Sequence, residues 1–185
     1  KESKEDKESK EDKESRKFKD IENLKEAKED NKFEEAMEEK EEKEIKEDKE
    51  EKEIEELKKI SNQIRRDIVR MVHAVASGHP GGSLGCAEYI TALYQSEMNH
   101  SADNFDMDGK GEDLFFLSNG HISPVLYSVL ARSGFFPVEE LATFRKIDTR
   151  LQGHPTTHEG LPGVRMSAGS LGQGLSVAIW AANAK

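Results

Sequence analysis

Apolar residues are sparse in the first 52 positions of the chain and become regular after them. In the first part they keep no steady seven-residue spacing, so the pattern does not favour a coiled coil. The large ones there are Phe18, Ile21, Leu24, Phe33, Met37 and Ile45. From Glu53 onward they recur every three or four positions, which predicts one amphipathic helix that ends before Gly78. Its apolar stripe consists of Leu57, Ile60, Ile64, Ile68, Met71, Val72 and Val75.

Beyond Gly78, short apolar runs alternate with loops that are rich in glycine and proline. The run "DLFFLS", residues 113–118, is typical of a short buried strand. Proline at position 124 fits the first turn of a helix that runs to about Arg132. The other helices are predicted to begin near Leu84, Pro137 and Leu171. This order of helix, strand, loop and helix predicts an α/β domain built in layers.

The charge of the chain is concentrated in its first third. Residues 1–60 carry 18 Lys and Arg and 26 Asp and Glu, a net charge of −8, whereas the remaining residues carry 10 and 12. The hexapeptide "KESKED" occurs twice at the start and places Lys and Glu four residues apart, at Lys1 and Glu5, Lys4 and Glu8, and Lys7 and Glu11. We therefore predict a Lys/Glu-rich extension over residues 1–52, partly helical or disordered, in preference to a coiled-coil partner site. Residues 53–185 are predicted to form the folded domain.

Composition also excludes several classes of protein. The lone Cys86 rules out an internal disulfide and fits a reducing compartment, so we expect a cytoplasmic protein. No apolar run approaches the roughly 20 residues needed to span a bilayer, and the charged start does not resemble a secretory signal. The folded part has no basic footprint for nucleic acid. Because the chain begins without Met and stops inside an apolar run, we expect a fragment of a longer protein.

Four loops carry the candidate chemistry, and three of them contain the dipeptide Gly-His. These three are "SGHPGG" with His79, "SNGH" with His121 and "QGHP" with His154. Taken singly, each histidine is better explained as a loop residue whose nitrogens bond to backbone. The occurrence of three such dipeptides, however, favours a shared role over chance. His121 also follows the predicted strand, at the edge where open α/β sheets bind ligands.

The fourth loop is "SAGSLGQG", residues 167–174, which leads into a predicted helix. Its glycines would let the backbone approach a ligand, and the helix would present the positive end of its dipole. The loop matches neither a Walker motif nor a Rossmann fingerprint. A phosphate cradle and close packing of the helix are therefore equally good interpretations.

The other three histidines are weaker candidates. His73 lies in the first predicted helix and is interpreted as structural, and His100 lies in a polar loop. His158 shares a loop with His154, and a pair four residues apart can bind a metal when it lies on a helix. Because Pro155 makes a helix there unfavourable, a metal site is not the favoured interpretation.

The four motifs together resemble a known family. "SGHPGGSLG", "DLFFLSNGHISPVLYSVLA", "LQGHP" and "GSLGQGLSVA" are similar to the amino-terminal, diphosphate-binding part of transketolase, over about Leu57 to Lys185. They most resemble the form whose two halves are separate polypeptides. The resemblance implies a partial thiamine diphosphate-binding domain, with a parallel sheet flanked by helices. It also implies transfer of a two-carbon ketol unit from a ketose phosphate to an aldose phosphate.

The resemblance also implies roles for individual residues. His121 would contact the diphosphate of the cofactor. Gly169, Ser170 and Leu171 would line the cofactor, with the Gly169 backbone on its aminopyrimidine side. His79 and His154 would face the substrate as catalytic residues that bond its hydroxyl and carbonyl oxygens.

One part of the family pattern is missing. The family holds Mg²⁺ through a "GDG" and a downstream Asn, and no "GDG" occurs in this chain. The glutamate that activates the aminopyrimidine belongs to a pyrimidine-binding domain or subunit, expected as the partner in a homodimer or in a heterotetramer of half-enzymes. We therefore expect this chain alone to be inactive. The alternatives are a 1-deoxyxylulose-5-phosphate synthase-like enzyme, or a non-catalytic interaction protein that carries a relic domain.

Overall fold

The computed structural model describes residues 10–185, and within residues 10–39 it describes only the side chains of Ser15, Lys19 and Met37. The chain divides into two compact units, Lys1–Glu53 and Ile54–Lys185. The ion pairs predicted within the repeated hexapeptide lie outside the described side chains.

The described part of the first unit is helical. It belongs to helix α1, Lys10–Val75. Ion pairs of side chains four residues apart, with N–O distances of 3.7 to 3.9 Å, line its exposed surface and join Lys40 to Glu44, Lys43 to Glu47 and Lys46 to Glu50. Such exposed pairs contribute little to stability. Residues 10–52 of the predicted extension are thus helical, and the side chains described among them are exposed.

The second unit contains the end of α1 and four shorter helices: α2, Pro80–Gly85, α3, Ala87–Ala92, α4, Ser123–Arg132, and α5, Gln173–Ala184. One π turn covers Leu93–Glu97, and 3₁₀ turns cover Gly120–Ile122, Val138–Thr143 and Thr157–Glu159. Two predictions are confirmed: α1 ends before Gly78, and α4 starts with Pro124 in its first turn and ends at Arg132. None of the helices in the described part is long and apolar enough to cross a membrane.

The predicted parallel sheet is not confirmed. Residues 113–117 adopt neither helix nor strand, and no strand occurs within residues 10–185. A strand exists only when its backbone N–H and C=O groups bond to a neighbouring strand, and the described chain offers no such neighbour. Burial of this run is also less complete than predicted, because Leu117 is buried while Leu114, Phe115 and Phe116 are only half-buried.

Helix α4 is the centre of the core. Nine of its ten residues are buried, so it must be covered on every side. The buried stripe of α1 lies in the same apolar cluster, with Ile64 and Ile68 fully buried and Met71 nearly so. Other members from elements throughout the second unit are Ile90, Tyr94, Phe135, Phe144, Leu151 and Leu161.

Polar side chains of α4 and α1 meet at Asp67, whose side chain is only 6% exposed. The Asp67 carboxylate accepts hydrogen bonds from Arg132 Nε at 2.6 Å and from Ser128 Oγ at 3.0 Å. Gln63 Nε2, one turn earlier in α1, donates to the other carboxylate oxygen at 3.1 Å. A buried carboxylate is tolerated only when it is paired and hydrogen-bonded, so this network fixes α1 against α4.

The two arginines near Asp67 provide a matched test. Replacing Arg132 by Met leaves the buried carboxylate without its hydrogen-bonded cation and should lower the free energy of unfolding by about 3 kcal/mol. Replacing Arg70, which lies 3.8 Å from the carboxylate with its side chain 73% exposed, should lower it by less than about 1 kcal/mol. Urea unfolding followed by circular dichroism measures both. Equal losses in the two variants would contradict the structural role of the Asp67–Arg132 pair.

Candidate functional site

Three of the four predicted loops lead into short helices. We call the four loops the His79 loop (residues 76–79), the His121 loop (residues 118–121), the His154 loop (residues 152–155) and the Gly169 loop (residues 167–172). The first ends where Pro80 begins α2, since proline suits a first helical turn. The second runs through a 3₁₀ turn into α4, and the fourth leads into α5.

The structure brings the three predicted histidines together. The rings of His79 and His121 meet edge to face, with their centroids 5.0 Å apart and an interplanar angle of 73°. Partial desolvation lowers the pKa of His154, and the charges of Arg145, His121 and His79 lower it further. Because solvent and salt screen charges on a partly exposed ring, groups that act on its pKa lie at short range. Imidazoles from three loops therefore share one site.

Glycines set the distance between these loops. A Cβ on Gly82 in α2 would lie 2.7 Å from Ile122 Cγ2, next to the His121 loop. A Cβ on Gly120 would lie 2.7 Å from the carbonyl oxygen of Ala168 in the Gly169 loop. Real Cβ atoms do not approach other atoms so closely. The missing side chains therefore allow the His121 loop to pack against its neighbours on both sides.

Hydrogen bonds complete the connections. Ser123 Oγ, in the first turn of α4, donates to the Gly153 carbonyl at 2.8 Å. The Ala168 N–H donates to the Pro155 carbonyl at 2.9 Å, which joins the His154 and Gly169 loops. The Tyr127 hydroxyl donates to the Gln152 carbonyl at 2.8 Å, and burial raises its pKa well above the ordinary value, so it stays protonated. The loop that carries His154 is thereby anchored to α4.

The glycines of the fourth motif divide into two groups. Gly174 packs against the backbone of Ser118, where a Cβ would stand 2.6 Å from the Cα, so close helix packing explains that position. Gly169 instead has no atom within 4 Å of an added Cβ, and it is exposed together with Ser170 and Leu171. Its bare backbone is accessible to a ligand beside the His121 and His154 loops. This stretch fits a cofactor that is held by backbone.

The first turn of α5 lies beside the same stretch and has no side-chain cap. Gly172 precedes the helix with a φ of +90°, a conformation that favours glycine, and no side chain caps the helix. Backbone N–H groups in an uncapped first turn are available to an anion.

Arg145 belongs to the site although sequence reasoning did not select it. It lines an open cavity of about 610 Å³ together with Ser77, Gln152, Gly153 and His154. Arg145 follows the short helix that is predicted to begin near Pro137, and no spacing or motif in the sequence sets it apart. Its position follows from burial of the neighbouring Phe144, which only the fold reveals.

The weaker histidine candidates lie elsewhere. His73 is exposed in the last turn of α1, and His158 is exposed in the 3₁₀ turn after the His154 loop. His100 is half-buried, and its Nε2 lies 2.8 Å from the Tyr94 carbonyl oxygen. Within the described residues, no group of three or more His, Cys, Asp or Glu side chains is arranged to hold a metal ion.

The close approach at Gly120 predicts a specific sensitivity. A Gly120→Ala substitution forces the His121 and Gly169 loops apart, because the new Cβ meets backbone that cannot rotate away, and should cost about 1–3 kcal/mol of unfolding free energy. Gly85→Ala in α2 is the matched control, since its Cβ would have no atom within 4 Å. Urea unfolding compares the two. Equal stability of both variants would contradict the packing described.

Comparison with known proteins shows the family of this part of the chain. Residues 56–185 match the sequence model of the family described as transketolase, thiamine diphosphate binding domain. Transketolase from Buchnera aphidicola subsp. Acyrthosiphon pisum (strain APS) is 41% identical over 123 residues, which cover 66% of this chain and 18% of that protein. Transketolase from Mus musculus is 38% identical over 121 residues, which cover 65% of this chain and 19% of that protein. The chain thus spans about a fifth of the length of these relatives.

Solved structures give the same result. Transketolase from Leishmania mexicana superposes with a TM-score of 0.62 at 33% identity, covering 66% of this chain and 18% of that one. Transketolase from Campylobacter jejuni gives a TM-score of 0.60 at 34% identity, with 66% and 19% covered. Since the family match takes in well over half of the residues, this chain belongs to the transketolase family, through its thiamine diphosphate binding domain.

Proposed function

We propose that this chain supplies the diphosphate-binding part of a transketolase, which transfers a two-carbon ketol unit from a ketose phosphate to an aldose phosphate. The observation that carries the proposal is the convergence of His79, His121 and His154 beside the exposed backbone of Gly169. Related Pichia stipitis transketolase, 36% identical with a TM-score of 0.60 and 64% of this chain covered, has been solved in complex with sedoheptulose-7-phosphate. Ketose phosphates are therefore the substrate class that we propose.

The cofactor is proposed to be thiamine diphosphate, which supplies the carbon nucleophile and the electron sink when it is bound. His121 would donate a hydrogen bond to a diphosphate oxygen. The backbone of Gly169, Ser170 and Leu171 would run along the cofactor. At Gly169 no side chain separates the backbone from the cofactor, and the space around this residue is free of other protein atoms within 4 Å of an added Cβ. The uncapped first turn of α5 is one further source of donors for the anion.

His79 and His154 would act on the substrate. Both are exposed, so a sugar can reach their ring nitrogens. An imidazole donates a hydrogen bond to an oxygen on which negative charge develops, and it exchanges protons near neutral pH. Partial desolvation and the neighbouring charges lower the pKa of His154, which favours its neutral form, and a neutral imidazole can donate one N–H and accept a proton at its other nitrogen.

The remaining parts of the site are proposed to come from residues that this chain does not contain. Its described residues provide no metal-holding cluster, and it matches about a fifth of its relatives' length. We therefore propose that the Mg²⁺ ligands, and a pyrimidine-binding domain or subunit that completes the site, lie elsewhere in a homodimer or a heterotetramer. On this proposal the chain alone does not turn over substrate.

A chimera tests these roles in a complete enzyme. Residues 56–185 replace the homologous segment of the Leishmania mexicana transketolase, and thiamine diphosphate affinity and turnover of ribose 5-phosphate with a ketose phosphate donor are measured. His121→Ala should weaken cofactor binding by about 10-fold or more, since it removes one hydrogen bond to a charged group. His79→Ala or His154→Ala should lower kcat by about 10²-fold or more with cofactor affinity within about twofold.

The exposed His73 provides the control. His73→Ala should leave both cofactor affinity and kcat of the chimera within about twofold, because the side chain lies in the last turn of α1 and outside the site. An equal loss of cofactor affinity in the His79, His121 and His154 variants would contradict the roles proposed. Failure of the unsubstituted chimera to bind thiamine diphosphate in the presence of Mg²⁺ would contradict the proposed function itself.

A further inference from the structure

One arginine connects two of the histidine loops. Arg145 Nη1 donates a hydrogen bond to Ser77 Oγ at 2.6 Å, two residues before His79. The same guanidinium lies flat against Gly153, one residue before His154: a Cβ there would stand 2.6 Å from Nη2 and 2.7 Å from Cζ and Nε. The side chain therefore touches the His79 loop with one edge and the His154 loop with its face.

The backbone of Arg145 is fixed before its side chain makes these contacts. Its φ is +57°, in the left-handed region that residues with a Cβ adopt only when their surroundings enforce it. The Arg145 N–H donates to the Leu151 carbonyl at 2.9 Å, and the preceding Phe144 is 1% exposed. The guanidinium carbon lies 5.6 Å from the centre of the Phe144 ring. Burial of Phe144 thus determines where the arginine emerges.

The hydrogen bonding of Arg145 is incomplete. Its Nε is buried and has no hydrogen-bond partner among the described residues. A buried donor without an acceptor is unfavourable, and a shorter or apolar side chain would avoid it. Stability alone therefore does not account for an arginine at this position.

We propose that Arg145 is a positioning residue, whose guanidinium ties the His79 loop at Ser77 to the His154 loop at Gly153 and so sets the separation of the two imidazoles. The functional part of this inference rests on the proposed function, in which both rings contact the substrate. Lysine could not replace this side chain fully, because a single ammonium cannot lie flat on Gly153 while it bonds to Ser77.

The charge of Arg145 supports the same role. The pKa of His154 is lowered by partial desolvation and by the groups that face it, namely Arg145, His121 and His79. None of these is a carboxylate; Glu159 acts on the nearby Tyr127, whose pKa it helps to raise. The guanidinium is the one permanently charged member of the group, so it favours a neutral His154 ring at every pH near neutrality.

Three variants separate the tie, meaning the contacts of Arg145 with Ser77 and Gly153, from the charge of Arg145. Arg145→Met removes both, whereas Ser77→Ala and Gly153→Ala each break one end of the tie and keep the cation. Gly153→Ala displaces the guanidinium because the new Cβ would overlap it, and Gly85→Ala is again the matched control with open space around its Cβ. The first readout is the pKa of each histidine, measured by NMR titration of this chain.

We expect an upward shift in the pKa of His154 in Arg145→Met and a smaller upward shift in Ser77→Ala and Gly153→Ala, with no shift in Gly85→Ala. The second readout is the chimera. There Arg145→Met should lower kcat at least 10-fold, move the acidic limb of its pH profile to higher pH, and leave thiamine diphosphate affinity within about twofold. Arg145→Lys should restore the pH profile but only part of kcat.

An unchanged His154 pKa in folded Arg145→Met, or full kcat in Gly153→Ala with the guanidinium displaced, would overturn the proposal. If Arg145→Met fails to fold, Ser77→Ala and Gly153→Ala decide the question by themselves. The two readouts also separate the two proposals. Failure of the unsubstituted chimera to bind cofactor refutes the proposed function. The NMR titration of this chain tests the proposal for Arg145 independently of that result.

Discussion

The burial of α4 on every side is the constraint on which the second unit depends. Nine of its ten residues are buried, so each polar group on them must find a partner within the protein. Its first turn bonds to the His154 loop through Ser123, and its last two turns bond to Asp67 of α1. The same helix therefore anchors α1, follows directly on the His121 loop and holds the His154 loop.

Contacts between loops, rather than regular secondary structure, define the site. The His121 loop packs against α2 and the Gly169 loop only because Gly82 and Gly120 have no side chains. Other loops are joined by polar contacts. Examples are the hydrogen bond from the Ala168 N–H to the Pro155 carbonyl and the hydrogen bond from Arg145 to Ser77.

Much of this organisation could be predicted. The Gly-His dipeptides identified the three loops before their proximity was known, and Pro124 located the start of α4. Other features could not be predicted. The exposed backbone of Gly169 and the packed backbone of Gly174 belong to one motif, and nothing in the amino-acid sequence distinguishes the two glycines. Arg145 was missed because an arginine in a charged, irregular segment is normally solvated.

The amino-acid sequence by itself determined the helices with strong periodicity, the separation of a Lys/Glu-rich extension from an apolar part, and membership of the transketolase family, because each depends on residue type and spacing along the chain. Only the tertiary structure decided that residues 113–117 remain without a strand partner. It also decided that the rings of His79 and His121 meet edge to face, and that Arg145 reaches both Ser77 and Gly153. These facts depend on which segments meet across long separations in sequence. That choice is made by burial and by the pairing of polar groups, and local pattern does not encode it.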